Sequence, residues 1–184
     1  PRPPQGPPFP TRGRGGRRVV GGVDPPATPA GDECGIVVCA LGADPESSSG
    51  QAIGYVLADS SEGGLSPERW ARKVAHVAET WRADRVVAEG NQGGEMAEAV
   101  LRGAGVRLPV RRVHARHGKV RRAEPVAALF ERGEARLAGR FPALEDQLAG
   151  LAIGGDYEGP GRSRDGAEAM VWAPSEVMLG KTAA

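Results

Sequence analysis

The chain has 184 residues, enough for one domain with a substantial core. Lys and Arg number 24 against 23 Asp and Glu, a net charge of +1, which excludes a histone-like polycation and makes any nucleic-acid surface local. No apolar run approaches the ~18 residues of a membrane span, and the opening PRPPQGPPFP lacks the apolar stretch of a secretory signal, so a cytoplasmic protein is expected.

Residues 1–17 are Pro, Gly and Arg with almost nothing to bury, and they read as a disordered linker preceding a folded domain over 18–184. The domain opens with VVGGVD (19–24), a short apolar strand ending in a carboxylate. CGIVVCAL (34–41) and QAIGYVLAD (51–59), joined by a Ser/Pro/Gly loop, suit two antiparallel strands. Cys34 and Cys39, five residues apart on one of them, should face opposite sides of the sheet and remain reduced thiols. Ser66 and Pro67 are the N-cap and first residue of a helix whose apolar face is Trp70, Val74, Val77 and Trp81.

A buried strand, DRVVAE (84–89), comes next, then a helix from about Gln92 to Arg102 ended by Gly103. The strand PVRRVHA (109–115) leads to a helix reaching Glu131 and closed by Gly133, with Pro125 either its first residue or a kink. Phe141, Leu144, Leu148 and Leu151 mark another amphipathic helix opened by Pro142. A last helix begins near Asp165 and is interrupted or kinked at Pro174. This order describes an α/β protein, a mixed sheet flanked by helices. Strands 19–24 and 84–89 should be parallel neighbours joined by a crossover helix, which brings Asp24 and Glu89 together at one sheet edge.

Two carboxylates on adjacent parallel strands repel unless a cation or proton intervenes, and oxygen-only ligands suit Mg²⁺ or Mn²⁺. A third acidic segment, Asp165-Gly166-Ala167-Glu168, puts two carboxylates on one helix face. Read alone it is a capping-box-like pair; read beside Asp24 and Glu89 it gives the remaining ligands of a site holding two metal ions, the usual logic of nucleases. His114 and His117 have no Cys or second His pair to complete a zinc site. Gly180-Lys181-Thr182 is not a P-loop, because Ser175 stands where that motif needs Gly.

GVDPPAT (22–28), VVAEGNQGG (86–94), HGKVRRAEPVAALFERG (117–133) and GPGRSRDGAEAMVWA (159–173) together resemble the nuclease domain of phage large terminases, in particular the version carried by gene transfer agents. The resemblance spans about residues 18–180. It implies an RNase H-like fold and an endonuclease that cuts double-stranded DNA during packaging with two Mg²⁺ or Mn²⁺ ions. By position, Asp24 matches the first acidic ligand, Glu89 the second, and Glu168 the third, with Asp165 as the residue that could take over its role. Glu168 is a departure, since that family carries Asp there, and Gly21-Gly22 and Pro174 depart as well. Lys119 becomes a phosphate contact near the scissile bond, with Arg116, Arg121 and Arg122 on the DNA backbone and Asn91 and Gln92 on metal water or DNA. The implied partners are a terminase ATPase motor domain, a small terminase and a portal, in a bacterial host cell. The rival readings are another RNase H-like enzyme, such as a junction resolvase, and a non-catalytic module that docks on DNA or portal.

Overall fold

A computed structural model describes residues 18–26, 33–44, 51–90, 94–115, 118–152 and 165–180. Its strands are β1 (Arg18–Asp24), β2 (Glu33–Ala43), β3 (Ala52–Asp59), β4 (Glu62–Gly63), β5 (Arg85–Glu89), β6 (Val110–Val113) and β7 (Ala135–Leu137). They form one sheet in the order β6-β5-β1-β2-β3-β7, with the two-residue β4 attached to β2. β1, β2 and β3 are antiparallel neighbours, while β1–β5, β5–β6 and β3–β7 are parallel. The expected parallel pairing of 19–24 with 84–89 is therefore present. Helix α1 (Pro67–Thr80) is its crossover, with Ser66 at the N-cap and Pro67 in the first turn.

Period-2 alternation divides the core between the two faces of the sheet. Cys34, Ile36, Val38 and Ala40 of β2 join Trp70 and Val74 of α1 and Leu101 of α2 (Gly94–Gly103). Val37 and Cys39 point the other way, toward Leu144 of α4 (Pro142–Ala152) and Met170 and Trp172 of α5 (Asp165–Pro174). The two cysteines thus lie on opposite faces, both buried and unbridged. The same alternation puts Val20 of β1 and Val87 of β5 on the α5 face.

Helix α5 is buried on all sides, from Gly166 to Pro174. It lies so close to the sheet that glycine is required beneath it. A Cβ on Gly22 would sit 2.3 Å from the Ala169 carbonyl oxygen and 2.9 Å from the Ala173 Cβ. A Cβ on Gly35 would sit 1.8 Å from the Asp165 carbonyl oxygen. Gly22, a departure from the family pattern in sequence, is therefore the seat of α5.

The two prolines and one short strand complete the comparison with the sequence reading. α3 spans Lys119–Glu131, so Pro125 is interior to it. β7 is new; its three residues are too few for periodicity to betray them, and they follow the left-handed turn at Gly133 (φ 71°). At Pro174 the winding changes: residues Ser175–Leu179 continue as a π-helical turn, as expected where a proline ring crowds the carbonyl four residues back. Glu176 anchors this turn, buried between Arg85 of β5 and Arg111 of β6.

Adjacent glycines give a sharp test of the helix seat. The site of a Cβ on Gly21 meets nothing nearer than a Val86 methyl at 3.9 Å. Gly22→Ala should cost about 1–3 kcal/mol of overpacking, a fall of several degrees in the melting midpoint, while Gly21→Ala leaves it unchanged or raised. Equal midpoints for the two variants would refute the close contact. Burial pushes both thiols far above their ordinary range. Neither Cys34 nor Cys39 should react with a thiol reagent at pH 8 in the native state, and both should react in denaturant.

Candidate metal centre

The last β1–β5 register pair is Val23 with Ala88, and one residue beyond it come Asp24 and Glu89. Alternation from Val20 and Gly22 to Asp24, and from Val87 to Glu89, directs both carboxylates to the face covered by α5. Across β1's other edge, Asp24 pairs with Gly35 of β2. The Asp165 carbonyl rests on that same Gly35, so the first residue of α5 is set down beside the end of β1. The electrostatics agree: burial is the main cause of the raised Cys34 thiol, and the charges of Asp24 and Asp165 both add to it.

Neighbouring groups fix the start of α5. Gln147 of α4 accepts a hydrogen bond from the Ala167 amide (3.0 Å) and donates one to Glu33 (3.0 Å), satisfying a first-turn N–H that has no partner within the helix. Asp59 at the end of β3 has a structural task. It accepts hydrogen bonds from the Ser61 hydroxyl (2.6 Å) and amide (3.0 Å), and Ser61 in turn accepts from the Ile36 amide (3.0 Å). Glu33, at the start of β2, is held above the ordinary carboxylate range chiefly by burial and further by the charge of Asp59, with the Gln147 contact opposing. This end of the sheet is thus rich in acidic groups.

Glu168 is placed differently from its sequence expectation as third ligand. Its side chain is 2 % exposed and forms an ion pair with Arg122 of α3, itself only 7 % exposed. The guanidinium carbon of Arg122 stands 5.0 Å from the centre of the Trp172 ring. The Trp172 Nε1 donates a 2.9 Å hydrogen bond to Glu89 Oε2. Arg122, expected on the DNA backbone, is accordingly an interior residue, whereas Arg121 beside it is exposed. Lys119 opens α3, while Arg116, Asn91, Gln92 and His117 lie outside the described residues, as does the linker 1–17. His114 is exposed just beyond β6.

Sequence reasoning missed Trp172, Gln147 and the Glu176 clamp. Only Trp172 left a signal, standing four residues after Glu168 and so on its helix face. The donor chemistry fits a hard divalent cation, because Asp24, Glu89 and Asp165 offer carboxylate oxygen alone and the neighbouring Cys34 thiol is kept protonated. Among the described residues, no three His, Cys, Asp or Glu side chains are gathered tightly enough to hold an ion as they stand.

Comparison with known proteins bears on the fold. The nuclease of the large terminase from thermophilic phage G20c, crystallised with bound zinc, superposes with a TM-score of 0.62 at 17% identity, over 92% of this chain and 91% of that one. The same nuclease with bound magnesium gives 0.62 and 17%, over 92% and 90%. The large terminase of bacteriophage HK97 gives 0.55 at 13% identity, over 86% of this chain but 39% of its own. These likenesses establish an RNase H-like fold. No curated protein sequence matches the chain significantly. The family described as Terminase RNaseH-like domain matches residues 21–176, which takes in Asp24, Glu89, Asp165 and Glu168, and the chain belongs to that family.

Proposed function

We propose that this chain is a divalent-metal-dependent endonuclease of the gene transfer agent type, cutting double-stranded DNA with little sequence preference during packaging into phage-like particles. One observation carries the reading: Asp24 and Glu89 end adjacent parallel strands on the face where α5 sets Asp165 against Gly35, the partner of Asp24. Asp24, Glu89 and Asp165 would hold Mg²⁺ or Mn²⁺, two ions in all. We assign Asp165 in preference to Glu168, because the Glu168 carboxylate is engaged by Arg122 inside the protein. Two bound ions supply an activated water and stabilise the leaving oxygen of a phosphodiester.

DNA would be held mainly through its phosphates, which suits cutting without sequence preference. β5 and β6 end together, tied by the Gly90 amide to the Val113 carbonyl (2.9 Å), so the segments that follow both strands leave the sheet at the carboxylate edge. Those segments carry Asn91 and Gln92 after β5, and Arg116, Lys119 and Arg121 after β6. The exposed Arg121 and, by position, Lys119 supply phosphate contacts at the start of α3. An ATPase motor, a small terminase and a portal would deliver the DNA, in the cytoplasm of a bacterial host.

Supercoiled plasmid should be nicked and linearised with Mn²⁺ or Mg²⁺ and stay intact in EDTA. Asp24→Ala and Glu89→Ala should fall to background, and cleavage by Asp24→Ala at the wild-type rate would overturn the proposal. Cutting confined to four-way junctions would point instead to a resolvase. Asp165→Asn should lose more than the roughly 10–100-fold typical of groups that only orient a metal ligand, with its melting midpoint unchanged. Glu168→Ala should cost about 3–5 kcal/mol of stability by leaving the Arg122 charge buried without it.

A further inference from the structure

The chain Glu168–Arg122–Trp172–Glu89 is more than packing. Glu168 and Trp172 are one turn apart on α5, and Arg122 reaches them from α3. Three of the four residues are almost wholly enclosed: the Glu168 and Arg122 side chains are 2 % and 7 % exposed, and Trp172 is 2 % exposed. A buried ion pair is poor value as a stabiliser, since apolar groups of the same volume commonly serve as well or better. What this pair does specifically is hold a cation against an indole face at 5.0 Å. A cation there draws electron density from the ring and makes its N–H a stronger donor. That N–H is the group bonded to Glu89 Oε2.

Resting on the metal reading above, we infer that Arg122 and Trp172 are positioning residues for Glu89. The indole N–H bonds Oε2 and fixes the orientation in which the Glu89 carboxylate would meet a cation. Glu168 serves by keeping Arg122 over the ring. The longer side chain at position 168 thus has a purpose of its own: it reaches an arginine instead of a metal. Metal-binding carboxylates elsewhere are oriented by hydrogen bonds of this kind, and losing such a partner typically weakens metal binding about 10–100-fold.

Two variants test the relay on the metal-free protein, with Mn²⁺ affinity read by calorimetry and folding by the melting midpoint. Trp172→Phe keeps an aromatic ring under Arg122 and removes the N–H. It should weaken Mn²⁺ binding at least about 10-fold. Arg122→Met/Glu168→Leu replaces the whole ion pair with apolar groups, so the midpoint should hold or rise while Mn²⁺ affinity still falls. A merely structural role predicts the reverse for this double variant, stability changing and affinity not. Intrinsic fluorescence adds a direct signal: Mg²⁺ should perturb the emission of the wild type, and Trp172→Phe should abolish the change. Wild-type Mn²⁺ affinity in both variants would overturn the relay and leave the metal reading standing. No Mn²⁺ binding by wild type at millimolar metal would overturn both.

Discussion

The seating of α5 on bare backbone is the constraint from which the rest of the molecule follows. A helix normally packs on a sheet through a layer of side chains, but at Gly22 and Gly35 that layer is missing and the helix touches β1 and β2 directly. Such an approach allows little sliding, because a carbonyl against a Cα has no flexible group to absorb a shift. The position of Asp165 is thereby tied to the sheet with the precision of a strand residue. The cost is met elsewhere: α5 is enclosed by α3 and α4 as well, its buried Glu168 is paired with Arg122, and its first-turn amide is satisfied by Gln147.

Much of this was legible in the sequence, and the reasons are physical. The apolar runs of β1, β2 and β5 and the face of α1 follow the two simplest periodicities, so the parallel β1–β5 pair and the meeting of Asp24 with Glu89 could be read in advance. Cys34 and Cys39 separated onto opposite faces for the same reason. What could not be read depends on tertiary contact. Nothing in the letters of Gly22 or Gly35 says that a helix will rest on them. β7 is held in place by its neighbour β3 and not by any pattern of its own. Arg122 shows the limit most plainly. Within the basic stretch of residues 116–122 its sequence neighbourhood is that of a solvated, phosphate-binding face, yet a single step of about 100° around the helix decides that it points inward to Glu168 while Arg121 is exposed.

The distribution of acidic groups has its own logic. Several carboxylates converge on one end of the sheet, and each is stabilised differently. Asp59 is hydrogen-bonded into the turn between β3 and β4, Glu33 is engaged by Gln147, and Glu168 is neutralised by an interior arginine. Mutual repulsion among the remaining carboxylates is what a divalent cation would relieve. Asp24, Glu89 and Asp165 are the set proposed above to hold it.

The acidic edge is also assembled from distant parts of the chain. Asp24 and Glu89 are 65 positions apart, and Asp165 follows 76 positions later (89 − 24 and 165 − 89). A ribosome delivers them in that order, and the sheet can form around β1, β2, β3 and β5 while α5 is still being synthesised. Until α5 docks on its glycines, Asp165 is absent from beside Asp24 and the indole is absent from Glu89. A nuclease of the kind proposed above, cutting without regard to sequence, would be dangerous as a nascent chain. Docking of α5 would then complete the carboxylate set and the sheet's covered face in one step.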